Sequence, residues 1–154
     1  MPGSNPTTQA AQSGQFFYLG PWAFDVTAAL QIIEAAPRPA WPLGVAEWAK
    51  ALGLTRIDNP DPHTIGLIGP DRETFDAAYA MTTDLSIPLV LAMLPDPVGG
   101  NHVPLLIDGT HRLYRAMREG VDELPVHVLT ADETARVRVD RWYGQFGAFT
   151  TRAQ

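Results

Sequence analysis

The sequence contains no cysteine, and only one of its eleven cationic residues is a lysine, Lys50. The absence of cysteine excludes disulfides, zinc-thiolate sites and cysteine nucleophiles, and it favours a reducing compartment. No apolar run reaches the length of a membrane span, and the first residues lack the charged and apolar regions of a signal peptide. We therefore expect a cytoplasmic protein without a membrane partner.

A basic excess is also absent, because the formal net charge is −6. Broad, sequence-independent binding of nucleic acid depends on a basic face that neutralises phosphates, so this charge disfavours DNA as a partner. Six arginines nevertheless lie between Arg112 and Arg141. Arginine recognises anions through its planar fork of donors, and a local anion site is therefore still expected in this part of the chain.

The 154 residues, 45% of them hydrophobic, are enough for one globular domain with its own core. Residues 1–14 consist mostly of Pro, Ser, Thr, Gln and Ala and have little to bury. We expect them to form a disordered arm that precedes a single domain at residues 15–150.

The hydrophobic pattern predicts strands and helices in alternation. A core strand is expected at 15–20, ended by Gly20-Pro21, and strands or extended segments are expected at 39–45, 85–94, 103–107 and 124–129. Residues 89–94 and 103–107 can pair as a hairpin. Helices are expected at 25–36, 46–52 and 72–83, and from about Thr110, and the helical spacing in the third of these predicts Phe75 and Tyr79 as core residues. The turn-rich residues 56–65 predict a surface loop. A capping box at Thr130–Glu133 predicts a last helix, although the alternation at residues 136–140 also fits a strand.

The most informative stretch runs from Val103 to Gly120. It predicts a buried strand, a sharp turn at Asp108-Gly109 and a helix that opens at Thr110 or His111. Free N–H groups at a helix start attract anions, whereas a cationic side chain such as Arg112 conflicts with the helix dipole there. We expect a bound anion, a phosphate, to relieve this conflict.

A helical projection of this segment separates two faces. The apolar face predicts packing against the sheet and carries Leu113, Tyr114, Ala116 and Met117. The other face is basic and carries His111, Arg112, Arg115, Arg118 and Glu119.

The segment Leu106-Ile-Asp-Gly-Thr-His-Arg-Leu113, followed by Ala116, Gly120 and Pro125-Val-His-Val128, resembles the core signature of the ParB/sulfiredoxin superfold. ParB N-terminal domains carry Gly-Glu-Arg-Arg at this place and bind CTP phosphates, and sulfiredoxins carry Gly-Cys-His-Arg and hold ATP. ParB-like free serine kinases carry Asp-Gly-His-His-Arg and hold ADP. The resemblance implies a compact α/β (α+β) domain in which helices flank a small mixed sheet.

The resemblance also implies roles for individual residues. It makes Gly109, Thr110, His111 and Arg112 a cradle for nucleotide phosphates, through main-chain N–H groups, a hydroxyl, an imidazole and a guanidinium, with Arg115 at the margin. It makes Asp108 a ligand for the magnesium ion that accompanies ATP, ADP or CTP. An Asx-type turn explains Asp108 equally well and is compatible with that role.

Hydrolysis or phosphoryl transfer is the leading activity that the resemblance implies, with Asp108 and His111 as catalytic residues. A general base for an acceptor hydroxyl would come from an upstream carboxylate, for which Glu47, Asp58 and Asp61 are the candidates. Support of its own helix start is the simpler interpretation of Glu47.

The sequence departs from two relatives of this fold. Thr110 stands where sulfiredoxins have their reactive cysteine, which excludes that repair chemistry. No helix-turn-helix extension follows the motif, so DNA loading like that of a full partition protein is not expected. The alternative is a non-enzymatic regulator of DNA transactions or a nuclease-like module that binds DNA or a protein partner. The pattern leaves a homodimer open.

Overall fold

The computed structural model describes residues 14–19, 21–63, 69–70, 72–96, 98–144 and 147–152. These residues form an α+β fold with two four-stranded sheets, which confirms the predicted fold class. The expected disordered arm lies outside the described residues, apart from Gly14.

The elements follow one another as strands and helices along the chain. The strands are β1 (Phe16–Leu19), β2 (Trp22–Asp25), β3 (Trp41–Gly44), β4 (Leu89–Pro95), β5 (His102–Asp108), β6 (Glu123–Val128), β7 (Arg138–Gly144) and β8 (Gly147–Arg152). The helices are α1 (Val26–Ala35), α2 (Val45–Ala51), α3 (Thr55–Asp58), α4 (Ala77–Ala80), α5 (Thr110–Glu119) and α6 (Ala131–Val137).

The central sheet has the order β3-β6-β4-β5 and is mixed, because β4 runs parallel to β6 and antiparallel to β5. Both faces of β4 are covered, which is why its sequence reads as a continuous apolar run. Leu89 and Leu91 belong to the core cluster that includes residues of α2 and α5, whereas Val90 and Ala92 belong to the cluster that includes residues of α1 and α6. The predicted hairpin of β4 and β5 is confirmed.

The second sheet has the order β1-β2-β7-β8 and is antiparallel throughout. Only β1 was expected at its N-terminal end, because Gly20-Pro21 indicated the end of a strand. The structure instead has a second strand, β2, which pairs with β1 and with β7 from the other end of the sequence. The two interpretations of residues 131–140 both hold in part: α6 begins with the predicted capping box, and β7 follows it directly.

The helix predicted at 72–83 is wrong in extent. The structure has turns at residues 72–74 and a helix only at Ala77–Ala80. The side chain of Asp76 accepts a hydrogen bond of 2.8 Å from the N–H of Tyr79 and starts the helix late. The hydroxyls of Thr82 and Thr83 donate to the carbonyls of Tyr79 and Ala80, which competes with further helical turns.

Two further boundaries differ from the predictions. The strand expected from residue 85 begins at Leu89, since Pro88 cannot donate to a ladder. The surface loop expected at 56–65 overlaps α3, which ends at Asp58. In contrast, α1 begins where expected, because the Asp25 side chain accepts a hydrogen bond of 2.9 Å from the N–H of Ala28.

Candidate functional site

The turn between β5 and α5 depends on Gly109. This residue has φ of 111° and ψ of 14°, in the left-handed region that favours glycine. A Cβ atom there would lie 2.6 Å from Cγ of Leu89 and 3.1 Å from Nη2 of Arg112. The turn therefore needs glycine for its backbone angle and for the space beside β4.

The start of α5 offers backbone donors. Gly109 is the N-cap and makes no side-chain cap, and the first intrahelical bond runs from the N–H of Leu113 to the carbonyl of Gly109. In an α-helix the N–H groups of the first turn have no intrahelical acceptor, which here concerns Thr110, His111 and Arg112. Together with the helix dipole they form a place that favours an anion.

This helix start opens on a cleft of about 580 Å³. Its lining includes β1, Pro70, Thr74 and Phe75, the end of β5, and the four consecutive residues from Asp108 to His111. A volume of this size lies within the roughly 300–1,000 Å³ of small-molecule sites. The structure thus brings four of the five predicted motif residues to one cleft.

His111 is held between two aromatic rings. Its imidazole lies nearly parallel to the ring of Phe75, with centroids 4.7 Å apart and 9° between the planes, and Tyr79 meets it edge-on at 5.1 Å. Burial lowers the pKa of His111 below its ordinary 6.5, and Arg112 acts in the same direction, while Asp76 and Asp108 oppose the shift. The imidazole is therefore neutral near neutral pH and can donate one N–H or accept one proton.

Arg112 does not line the cleft. Its Nη2 donates to Oδ2 of Asp108 at 3.0 Å and to the carbonyl of Pro88 at 3.3 Å, and both charged side chains are largely buried. Its Nε is buried and has no partner among the described contacts. Asp108 precedes Arg112 by four residues, but it is the last residue of β5, so the pair forms across the Gly109 turn and not along the helix.

The remaining arginines of α5 are also engaged with acids or carbonyls. Arg115 pairs with Glu119 at 2.9 Å and donates to the carbonyl of Thr83. Arg118 pairs with Asp58 at 2.6 Å. The predicted basic face is present, but these pairs neutralise much of its charge.

Asp58 holds α3 to α5 and is poorly suited to act as a base. The hydroxyl of Tyr114 donates to its Oδ1 at 2.7 Å, in addition to the Arg118 contact. These two hydrogen bonds, Tyr114 first, keep the pKa of Asp58 below its ordinary 3.8. A carboxylate with a lowered pKa is a weak proton acceptor at neutral pH.

Glu47 lies apart from the motif. It is exposed in the first turn of α2, where a carboxylate favours the helix dipole, and it lines a separate cavity of about 320 Å³ with Trp48, Ala51 and Leu52. It does not line the cleft at α5. Asp61 is exposed beyond α3, where its Oδ1 accepts from the N–H of His63.

Asp108 is the carboxylate in the lining of the cleft, and its Oδ2 is paired with Arg112. Mg²⁺ is usually bound through one or two carboxylates together with substrate phosphates, and Asp108 supplies one carboxylate to the lining of the cleft. Within the described residues no three His, Asp or Glu side chains gather into a metal site.

Several side chains that the sequence did not single out for this site line the cleft or contact His111. Phe75 and Tyr79 were expected as core residues of a long helix, yet they flank His111. Phe16 and Tyr18 were expected only as part of a core strand, yet they line the cleft. No local signal connects them to the motif, because they meet it through tertiary packing.

In the part of the chain that the structure describes, no helix combines the length and the apolar character needed to cross a membrane. No family model matches the chain, and no solved structure matches it.

Proposed function

We propose that the chain binds the phosphate groups of a nucleotide at the start of α5, in the cytoplasm, with a magnesium ion at Asp108. The observation that carries this proposal is that Gly109, Thr110 and His111 open the helix directly onto the 580 Å³ cleft. The N–H groups of the first turn, the Thr110 hydroxyl and the neutral His111 supply donors without requiring a lysine. Membership of the ParB/sulfiredoxin superfold is part of the same proposal, supported by the order β5, Gly109, α5, β6.

The role of Arg112 changes in this proposal. Its guanidinium donates to Oδ2 of Asp108 and to the Pro88 carbonyl and so holds the turn in place. Direct contact with a phosphate would require it to leave that pair. Arg115 would likewise have to leave Glu119 and the Thr83 carbonyl.

The test is calorimetric titration with ATP, ADP, CTP and GTP in the presence of magnesium. Replacing Thr110 with valine keeps the shape of the side chain and removes its hydroxyl, so we expect affinity to fall about tenfold or more, as for a lost hydrogen bond to a charged group. Thr55→Val is the matched control, because Thr55 is also the first residue of a helix but does not line the cleft. If none of the four nucleotides binds, or if both variants behave alike, the proposal is wrong.

Hydrolysis or phosphoryl transfer remains a prediction, with Asp108 and His111 as the candidate catalytic residues that reach the cleft. Release of phosphate from ATP and CTP should be followed in the wild type, Asp108→Asn and His111→Phe. The phenylalanine keeps an aromatic ring between Phe75 and Tyr79 but cannot exchange a proton. Turnover that persists in both variants would remove these residues from the chemistry.

The alternative of a DNA-binding regulator receives less support from the site. The arginines of α5 are paired with Asp108, Glu119 and Asp58, and the net charge is −6. A protein that neutralises DNA phosphates needs cations that are free to do so.

A further inference from the structure

The edge strand β1 presents two aromatic rings away from the core. Phe17 and Leu19 pack against the core cluster that contains Phe24, whereas Phe16 and Tyr18 are 38% and 56% exposed. This follows from the alternation of side chains along a strand. Large exposed aromatic side chains are costly to leave in water, so a pair of them on one face is typical of a contact surface.

The two rings lie near each other with similar orientation, on a strand that is held in place. Their centroids lie 6.3 Å apart with 24° between the planes. The N–H of Gln15 donates to Oγ1 of Thr27 at 2.9 Å, and the N–H of Val26 donates to the Gln15 carbonyl at the same distance. These bonds fix the start of β1 against α1, so the surface is ordered before any ligand arrives.

Phe16 and Tyr18 line the same cleft as Gly109, Thr110 and His111. We propose that they stack on the base of the nucleotide whose phosphates lie at the start of α5, so that the ligand is a phosphate ester that carries a flat aromatic ring. This inference rests on the proposed function and adds the second half of the ligand to it. Stacking on aromatic side chains tolerates every base, so the two rings by themselves set no preference among bases.

The experiment compares ATP with inorganic tripolyphosphate, both with magnesium, by calorimetry on the full chain. Tripolyphosphate has the phosphates but no ring, so it reports the α5 site alone. We expect the wild type to bind ATP more tightly than tripolyphosphate. Phe16→Leu and Tyr18→Leu should each weaken ATP about tenfold, as stacking on one ring does, and leave tripolyphosphate unchanged.

Two variants act as controls for folding and for specificity. Tyr18→Phe keeps the ring and should bind ATP like the wild type. Trp41→Leu removes an aromatic side chain that is 61% exposed on β3, outside the cleft, and should also leave the affinity for ATP unchanged.

A fluorescence measurement on the wild type tests the base contact directly. The fluorescence of ethenoadenosine triphosphate should change on binding, because stacking on the rings alters the emission of the base.

The results separate this inference from the phosphate site. If tripolyphosphate binds in a Thr110-dependent manner but the leucine variants leave ATP unchanged, the base contact is wrong and the phosphate site stands. The base contact is also wrong if the leucine variants weaken ATP and tripolyphosphate equally, or if Trp41→Leu has the same effect. If neither ligand binds the wild type, both proposals fail.

Discussion

Gly109 and Gly120 bracket α5, and both have positive φ, 111° and 71° respectively. Their surroundings differ, because a Cβ at Gly109 would meet Leu89 at 2.6 Å whereas nothing lies within 4 Å of one at Gly120. The two glycines therefore separate the cost of the backbone conformation from the cost of crowding at the site.

We expect Gly120→Ala to lower the free energy of unfolding by about 1 kcal/mol, the cost of a left-handed residue with a Cβ. Gly109→Ala should cost roughly 3 kcal/mol, because overpacking against β4 adds to that conformational term. Urea unfolding of both variants measures the difference. Equal losses would contradict the close approach of Gly109 to Leu89.

His111 should titrate below its ordinary 6.5 in the free protein, because it is buried between Phe75 and Tyr79. A histidine with a lowered folded pKa binds its proton less readily than in the unfolded chain, so its contribution to stability is lost as pH falls below 6.5 toward the folded value. An anion at the start of α5 favours the protonated ring and should raise this pKa.

The measurement is an NMR titration of the His111 ring with and without saturating nucleotide. His111→Phe should lose the part of the pH-dependent stability that lies between the two pKa values. A His111 pKa at or above 6.5 in the free protein would contradict the burial of the ring.

For single residues, the sequence indicated which ones open α5 at the candidate site, but not which side chains contact them. Gly109, Thr110 and His111 follow from a turn and a helix start, which are local in the chain. The ring pair around His111 and the Arg112 contact with the Pro88 carbonyl join segments about twenty or more residues apart. Such contacts depend on tertiary packing, which no local pattern encodes.

Among the elements, α6 is held by the bond between Glu133 and Arg38. Arg38 lies between two prolines after α1 and donates to both carboxylate oxygens of Glu133, at 2.5 and 2.8 Å. Glu133 also accepts from the N–H of Thr130 and completes the capping box. The hydrogen bonds from Arg38 lower the pKa of Glu133 from 4.5 to about 2, with the Thr130 N–H acting in the same direction and burial against it.

Glu133→Gln should lower the free energy of unfolding at pH 7 by about 2 kcal/mol, since it leaves Arg38 without its counter-charge. A carboxylate with a lowered folded pKa stabilises the fold above its unfolded pKa of about 4.5 and loses that contribution as pH falls toward 2. The difference between wild type and variant should therefore shrink across this window. Thermal unfolding at pH 7 and pH 3 measures it.

Glu123→Gln is the matched control, because Glu123 is an exposed carboxylate on β6. It should leave stability unchanged at both pH values. A Glu133→Gln variant whose loss is the same at pH 7 and pH 3 would contradict the lowered pKa.

Element boundaries were predictable where local chemistry fixes them. Asp25 caps α1, Gly109 precedes α5 and the capping box begins α6, and each is a signal within four residues. The helix predicted at 72–83 failed because the Asp76 cap competes with the apolar spacing of Phe75 and Tyr79. That spacing predicts Phe75 and Tyr79 as core residues, yet Tyr79 is 56% exposed and contacts the His111 ring.

At the scale of the whole molecule, the pairing of β2 with β7 could not be predicted from the sequence. Trp22 lies opposite Asp140, so the second sheet joins the two ends of the described chain. Two strands that lie so far apart in the chain share no sequence pattern that would distinguish their pairing from other possible pairings. The central mixed sheet was easier to predict, because its hairpin and its strand-helix-strand unit are continuous in the chain.

The charge of the whole molecule predicts weak contact with DNA. With a net charge of −6 and the arginines of α5 in ion pairs, we expect no shift of a DNA duplex in a gel at low or at moderate salt. Arg118→Ala should not change this result. A salt-sensitive shift that Arg118→Ala abolishes would favour the DNA-binding alternative instead.

The central claim is that phosphate groups lie at the start of α5, and amide NMR tests it most directly. Magnesium with ATP, or with tripolyphosphate, is added to the ¹⁵N-labelled protein. The amide signals of Thr110, His111 and Arg112 should then move more than those at the start of α1, and their shifts should reach a plateau as the ligand concentration rises. The same three signals should move less in Thr110→Val at equal ligand concentration. Signals at the start of α5 that stay in place while ligand binds elsewhere, or that never move, would contradict the claim.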